Sequence, residues 1–289
     1  MVTLTPAAPL SGLFRRFRLR PLGAALEAAS RAGYLARAAV YISIGAIALL
    51  AAIEVTPKAE GTIGALEAWG QWPIGVGLLW LLGLGLYGFA GWRAIQALFD
   101  PDGQGRSAKG LLARAGQAIS GFTYAGTAIS VFALVDALED LREPDDEAAT
   151  REAVQRALEL PAGEWLVVGV GLFILGAGIA SIVRAFIDRF GRDLRCDTEA
   201  RAWLGTLGRV GYAGRGVALL PMGVFLTLAG LKAQSSEARG LGEALQLLER
   251  QPFGDLVLAL TALGLIAFGL YALAEAVFRP IRAPDPTRP

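Results

Sequence analysis

The chain has 289 residues, 54% of them hydrophobic, and a mean hydropathy of +0.48, more apolar surface than a soluble domain of this length needs. It has no histidine and one cysteine, Cys196. This removes the commonest general base and metal ligand, and excludes an internal disulfide or a thiolate metal cluster. The formal net charge is +1, and all but Lys58, Lys109 and Lys232 of the 27 basic residues are arginine. With so much alanine, glycine and leucine, that bias reads as the imprint of a GC-rich bacterial genome, not as ligand recognition.

The N-terminal segment, 1–27, is basic. Arg15-Arg16 within it resembles a twin-arginine signal, but Glu27, Arg31 and Arg37 interrupt the apolar stretch such a signal needs. The segment reads instead as a partly amphipathic stretch at the inner membrane surface. Apolar, charge-free windows follow at 38–53, 70–92, 115–135, 165–183, 216–231 and 256–274. Runs of about 18 or more such residues read as membrane-spanning helices. The windows at 38–53 and 216–231 would span only ~24 Å at 1.5 Å per residue, so bordering Arg37 and Arg215 are expected to snorkel to the headgroups.

These six windows fall into three copies of one pattern. Arg31-Ala32-Gly33-Tyr34 with Arg37 matches Arg209-Val210-Gly211-Tyr212 with Arg215. The middle copy is eroded, with Arg114-Ala115-Gly116-Gln117 and Ser120. Each copy's second half aligns without a gap from Pro73, Pro161 and Pro252 to Phe99, Ile187 and Phe278. The repeats cover 28–103, 112–194 and 205–281, and 282–289 form a tail. Two spans per repeat insert all three copies in one orientation, related by an axis along the membrane normal. The expected fold is all-α: a polytopic membrane protein of six transmembrane helices, as three tandem two-helix repeats with pseudo-threefold symmetry.

Charge placement orients the chain. With the N-terminus in the cytoplasm, 20 of the 27 basic residues fall on inner segments. Six spans return the C-terminus to the same side, giving a multi-pass protein of a bacterial inner membrane. All outer segments are short. Ala65-Leu66 with Trp69, Ala153-Val154 with Ala157, and Ala244-Leu245 with Leu248 mark the apolar side of three short surface helices, each ended by Pro-x-Gly. The outer segment 136–164 is acidic, but Asp145-Asp146-Glu147 lacks the glycine and spacing of a calcium loop, and reads as a solvated surface.

Gly83-Leu84-Gly85-Leu86-Tyr87-Gly88 matches G-x-G-x-x-G in letters only. It lies inside an apolar window, where glycines let a neighbouring helix approach, as do Gly169, Gly171, Gly176 and Gly178, and Gly264 and Gly269. Arg31, Tyr34, Arg37, Arg209, Tyr212 and Arg215 sit where odd-numbered helices meet the cytoplasmic interface. They read either as basic and aromatic belt anchors, with the tyrosines at headgroup depth, or as contacts to an anionic lipid headgroup or another anion. Gln96, Arg184 and Glu275 occupy one register late in the even helices. They either snorkel separately or form an inter-repeat contact, with Arg184 paired to Glu275.

Arg209-Val210-Gly211-Tyr212-Ala213-Gly214-Arg215-Gly216, Gln251-Pro252-Phe253-Gly254 and Asp100-Pro101-Asp102-Gly103 together resemble the bacterial domain-of-unknown-function 1206 family. The resemblance covers roughly 28–281 and implies about three tandem copies of two membrane helices; it supplies no activity, substrate or catalytic residue. The middle copy departs from it at Gln117 and Ser120. The residues point to a non-enzymatic membrane scaffold or lipid-interacting protein, with a small channel or transporter along the pseudo-axis as the alternative. The spans are expected to be nearly free of charge in their middles, which favours a packed interior. No cofactor, metal or nucleic acid is expected. The expected partners are membrane lipids and an unidentified membrane or cytosolic protein; the oligomeric state is left open.

Overall fold

Backbone groups inside a bilayer must be satisfied within the chain, and the apolar windows solve this as helices. In the computed structural model, which describes residues 11–70, 72–100, 103–139, 146–188, 190, 194 and 196–280, all regular structure is helical. Side chains are described from residue 27 onward, except those of residues 109, 139 and 146. The helices are α1 (Ser11–Ala52), α2 (Thr62–Gly70), α3 (Gly75–Phe99), α4 (Ala108–Glu139), α5 (Asp146–Leu158), α6 (Gly163–Ile187), α7 (Thr198–Lys232), α8 (Leu241–Glu249) and α9 (Gly254–Phe278). Six of them, α1, α3, α4, α6, α7 and α9, are long and apolar enough to cross a membrane.

The repeat is visible in the helix ends. α3, α6 and α9 are 25 residues each, begin at the glycine of Pro-x-Gly, and end at Phe99, Ile187 and Phe278. Glycine is required at that start, because a Cβ on Gly75, Gly163 or Gly254 would run into the carbonyl oxygen of Trp69, Ala157 or Glu249 at the end of the preceding short helix. The second span therefore starts at Gly75, not Gly70, which closes α2. α1 and α7 run well beyond their apolar windows. Arg37 and Arg215 do not border these helices but lie inside them, because both find partners between helices (below).

The three short helices α2, α5 and α8 cover one end of the bundle. Ala65, Leu66, Val154, Ala244 and Leu245 turn inward from them and are buried. Gln246 of α8 donates to the Ala59 carbonyl at 3.0 Å, and Arg151 of α5 meets Glu243 of α8 at 2.6 Å. Of Asp145-Asp146-Glu147, Asp145 lies outside the described residues, Asp146 opens α5, and Glu147 meets Arg151 at 3.6 Å.

The spanning helices neighbour one another in the order α4, α3, α1, α9, α7, α6. The contacts between repeats (α3 with α4, α6 with α7, and α9 with α1, which joins the third to the first) are all extended. Within a repeat, α1 packs on α3 and α7 on α9, but α4 and α6 share no comparable interface. The middle hairpin is open, the three repeats are not equivalent, and pseudo-threefold symmetry is not confirmed.

A side-chain exchange accounts for the open hairpin. Between apolar helices in lipid, association rests on close van der Waals packing, which small residues permit. Gly264 of α9 lies against Gly214 of α7: a Cβ on it would come within 2.6 Å of the Gly214 Cα. Gly85 of α3 lies against Ala32 and Ala36 of α1 in the same way. One turn on, Phe89 packs over Gly33, and Phe268 over Gly211. In α6 the pair is inverted, with Phe173 in the glycine register and Ala177 in the phenylalanine register. Gly116 of α4, the counterpart of Gly33 and Gly211, accordingly has open space where a Cβ would be. The expectation that the span glycines serve close approach holds for Gly83, Gly85, Gly171, Gly178, Gly264 and Gly269. It fails for Gly169 and Gly176, which meet no neighbour.

Candidate functional site

The last carbonyls of a helix lack intrahelical donors and attract cations. Arg31 of α1 uses this at the end of α9, donating to the carbonyls of Ala276 and, at 3.1 Å, Val277, while Glu27 holds it at 2.8 Å. Arg114 of α4 does the same at the end of α3, with Ala97 at 2.8 Å and Leu98 at 3.0 Å. Ala97 and Ala276 share one register, so two inter-repeat interfaces are clasped alike. Arg209 of α7, the third copy, is exposed and stands outside this arrangement.

One to two turns deeper, the chain departs from the sequence reading. Arg37 does not snorkel; it is 4% exposed and forms an ion pair with Glu275 of α9, also buried. Glu275 takes a second cation, Arg279, at 2.6 Å. The Arg37 guanidinium also lies 5.2 Å from the ring centroid of Tyr34 and 5.1 Å from that of Phe268, distances at which ring quadrupoles attract a cation. Its Nε finds no acceptor among the described residues.

Arg215 holds the Arg37 register in the third repeat and reaches the same ring, 5.2 Å from the centroid of Phe268. Among the described residues it has no carboxylate partner. Nε donates to the Tyr41 hydroxyl at 3.1 Å and a terminal nitrogen to the Ser181 hydroxyl at 2.8 Å, and the residue remains only half-buried. Tyr124 of α4 lies within electrostatic reach of Arg37, Arg93 and Arg215.

The proposed contact between Arg184 and Glu275 is not what forms. Arg184 binds Asp188 one turn along its own helix at 2.7 Å and lies over the Tyr212 ring at 4.8 Å, while Glu275 is taken by Arg37 and Arg279. Gln96 is buried and accepts from Arg93 at 3.2 Å. Tyr34 and Tyr212 do not face lipid as belt anchors would: both are buried, Tyr34 edge-on to Phe89 at 5.2 Å and Tyr212 to Phe268 at 5.1 Å. Arg37, Arg215 and Glu275 place charge within the spanning helices, toward the end that bears the termini and not at the middles of the apolar windows.

The two recurring registers thus bring different chemistry to each inter-repeat interface, and the first pair is in direct contact. Between α9 and α1 they supply Glu275 and Arg37, between α6 and α7 Arg184 and Arg215, and between α3 and α4 Gln96 and Ser120. At these registers the first interface holds an ion pair, the second holds Arg184 paired with Asp188 beside Arg215 bonded to hydroxyls, and the third holds two neutral side chains with Arg93 and Arg114 nearby. Tyr41, Ser181, Phe268 and Arg279 complete the cluster and were not singled out from the sequence. Tyr41 and Tyr124 recur at one register of the first two repeats, a signal that comparison of the copies contained. Among the described residues no group of three or more His, Cys, Asp or Glu side chains gathers to hold a metal ion.

The same three-copy pattern appears in comparison with known families. The family described as Domain of Unknown Function (DUF1206) matches at 32–100, 115–188 and 210–279. The chain belongs to this family. The DUF1206 match begins each repeat beside Arg31, Arg114 or Arg209 and ends it at the close of the even helix. The chain is also 30% identical over 258 residues to the "Uncharacterized protein YxxB" of Bacillus subtilis (strain 168), spanning 86% of this chain and 90% of that protein. No solved structure matches. Membership in DUF1206 thus agrees with the triple two-helix architecture and leaves the arginine cluster as the guide to what this member does.

Proposed function

We propose that the chain is a non-enzymatic, lipid-interacting protein of a bacterial cytoplasmic membrane, with both termini in the cytoplasm, and that the arginine cluster holds the phosphate or carboxylate of an anionic headgroup. The observation behind this reading is Arg215. An ionised side chain within a span is costly and ordinarily has an opposite charge nearby. Among the described residues Arg215 has only the neutral oxygens of Tyr41 and Ser181 as hydrogen-bond partners, and Arg184 stands at the facing register of α6. A bound anion would offset that surplus through charge-assisted hydrogen bonds. The orientation rests on the excess of basic residues at the end bearing the termini.

The test is lipid retention. The purified chain in nanodiscs of mixed phosphatidylglycerol and phosphatidylcholine is expected to retain phosphatidylglycerol, read by native mass spectrometry. Arg215→Gln is expected to weaken that retention about tenfold, close to the effect of one charge-assisted contact. Equal retention of the two lipids by the unaltered chain would end the reading. A channel or transporter is the second reading, favoured by the presence of Arg37, Glu275 and Arg215 inside spans. Ion or solute flux in reconstituted vesicles, absent from empty vesicles, would establish it.

A further inference from the structure

We infer that the open hairpin of the middle repeat is a lateral portal, in which the acyl chain of an anionic phospholipid lies between α4 and α6 while its headgroup sits at the arginine cluster. This rests on the headgroup reading above and adds the route and the ligand class.

Exposure along α6 locates the groove. Val170 is 47% exposed, whereas Leu82 and Thr261, at the same register of α3 and α9, are 5% and 3% exposed. Phe173 and Ala180 are exposed where Gly85 and Trp92 of α3, and Gly264 and Tyr271 of α9, are buried. Across the gap, Gly116 and Thr123 of α4 are exposed where Gly33 and Val40 of α1 are buried. The faces that join the other two hairpins are therefore both bare in the middle one. The cause is local: α6 has Phe173 where α3 and α9 have glycine, and the small Ala177 where they have phenylalanine.

The chemistry of the walls selects the occupant. Thr123, Thr127 and Ser130 are hydroxyls on the α4 side, beyond Ser120 near the cluster. Each is already bonded to a carbonyl one turn back in its own helix, at 3.0, 3.0 and 3.2 Å. These three hydroxyls make no further polar demand, so this stretch of the wall suits hydrocarbon rather than water or a polar solute. From 116 to 130 the α4 wall is ~21 Å long, enough for one leaflet's tail in a hydrocarbon core about 30 Å thick. Both walls lead to the cluster: α4 brings Tyr124 within electrostatic reach of Arg37 and Arg215, and α6 supplies Ser181, bonded to Arg215. Charge at that end is complementary to an anion, with Arg37, Arg93, Arg184, Arg215 and Arg279 around Glu275 and Asp188.

The experiment uses the full chain in nanodiscs containing phosphatidylglycerol with a diazirine on its acyl chain. Adducts are expected to concentrate on 116–130 of α4 and 170–180 of α6, about tenfold over the outward faces of α3 and α9. An even distribution over all exposed faces overturns the portal, as does a dimer that buries these two faces with no lipid between its subunits. A second measurement restores the packing of the other hairpins with Phe173→Gly and Ala177→Phe together. That variant is expected to lose retained phosphatidylglycerol while keeping binding of inorganic phosphate, whose access needs no seam. If the variant folds and retains the lipid unchanged, the portal is wrong and the headgroup reading stands. If Arg215→Gln also leaves lipid and phosphate binding unchanged, the headgroup reading itself fails. The adduct map on the unaltered chain decides the matter where the double variant does not fold.

Discussion

Arg37 of α1 and Glu275 of α9 form a buried ion pair that joins the first and third repeats, with Arg279 at 2.6 Å from the same carboxylate. The two residues are 238 positions apart in sequence and hold the ends of the repeat array together. Removing one partner of a buried pair leaves an uncompensated charge, which costs about 3–5 kcal/mol. Glu275→Gln and Arg37→Gln are each expected to lower stability by that order in detergent micelles, measured by denaturant unfolding. The double variant should lose clearly less than the sum. Additive losses would show that the two side chains act independently.

The open hairpin makes a paired prediction for glycine. Gly116 faces open space, so Gly116→Ala should stabilise α4 by up to about 1 kcal/mol, the helix-propensity difference. Gly214 is blocked: a Cβ on it would lie 2.5 Å from the Gly264 Cα. Gly214→Ala should separate α7 from α9 and lower stability by about 1–3 kcal/mol. Thermal unfolding of the two variants side by side distinguishes them, and equal effects would contradict the packing described.

Asp100 closes α3 in the left-handed region at φ 48° and accepts the backbone N–H groups of Gln104 and Gly105, each at 2.7 Å. These bonds favour the ionised carboxylate and hold its pKa below the ordinary aspartate value. A depressed folded-state pKa contributes stability that is full above the unfolded value, about 3.9, and lost as pH falls through the folded one. Amide exchange at Gln104 and Gly105 should therefore stay slow, relative to intrinsic rates, above about pH 4 and lose protection below it. Asp100→Asn should show reduced protection at every pH, without that step.

Orientation can be read with single cysteines in a Cys196→Ser background. Ser236 and Ser107 are both exposed, the first at the end covered by α2, α5 and α8 and the second at the end bearing the termini. In intact bacterial cells Ser236→Cys should react with a membrane-impermeant maleimide, and Ser107→Cys only after permeabilisation. The reverse pattern would place the termini outside.

Composition and periodicity alone determined the six helices, the two-helix repeat, the three short helices and their Pro-x-Gly ends. All of these follow from local rules: the length of an apolar run, the chain-turning residues, and the recurrence of one pattern at fixed spacing. The candidate arginines were also legible, since Arg31, Arg37, Arg209 and Arg215 stand out by repetition. Their environments were not. A charge at the edge of an apolar window looks alike whether it meets water or a carboxylate on a distant helix. Arg37 was read as a flank because Glu275 lies on the last helix. Gln96, Arg184 and Glu275 were recognised as one register, but the partner of each depends on which helix packs beside it. The open hairpin was likewise written in Phe173 and Ala177. It became meaningful only once Gly85 with Phe89, and Gly264 with Phe268, were seen to be the contacts that close the other two. Tertiary packing decided these points because close approach and ion pairing depend on what stands across the gap, and no local pattern specifies that.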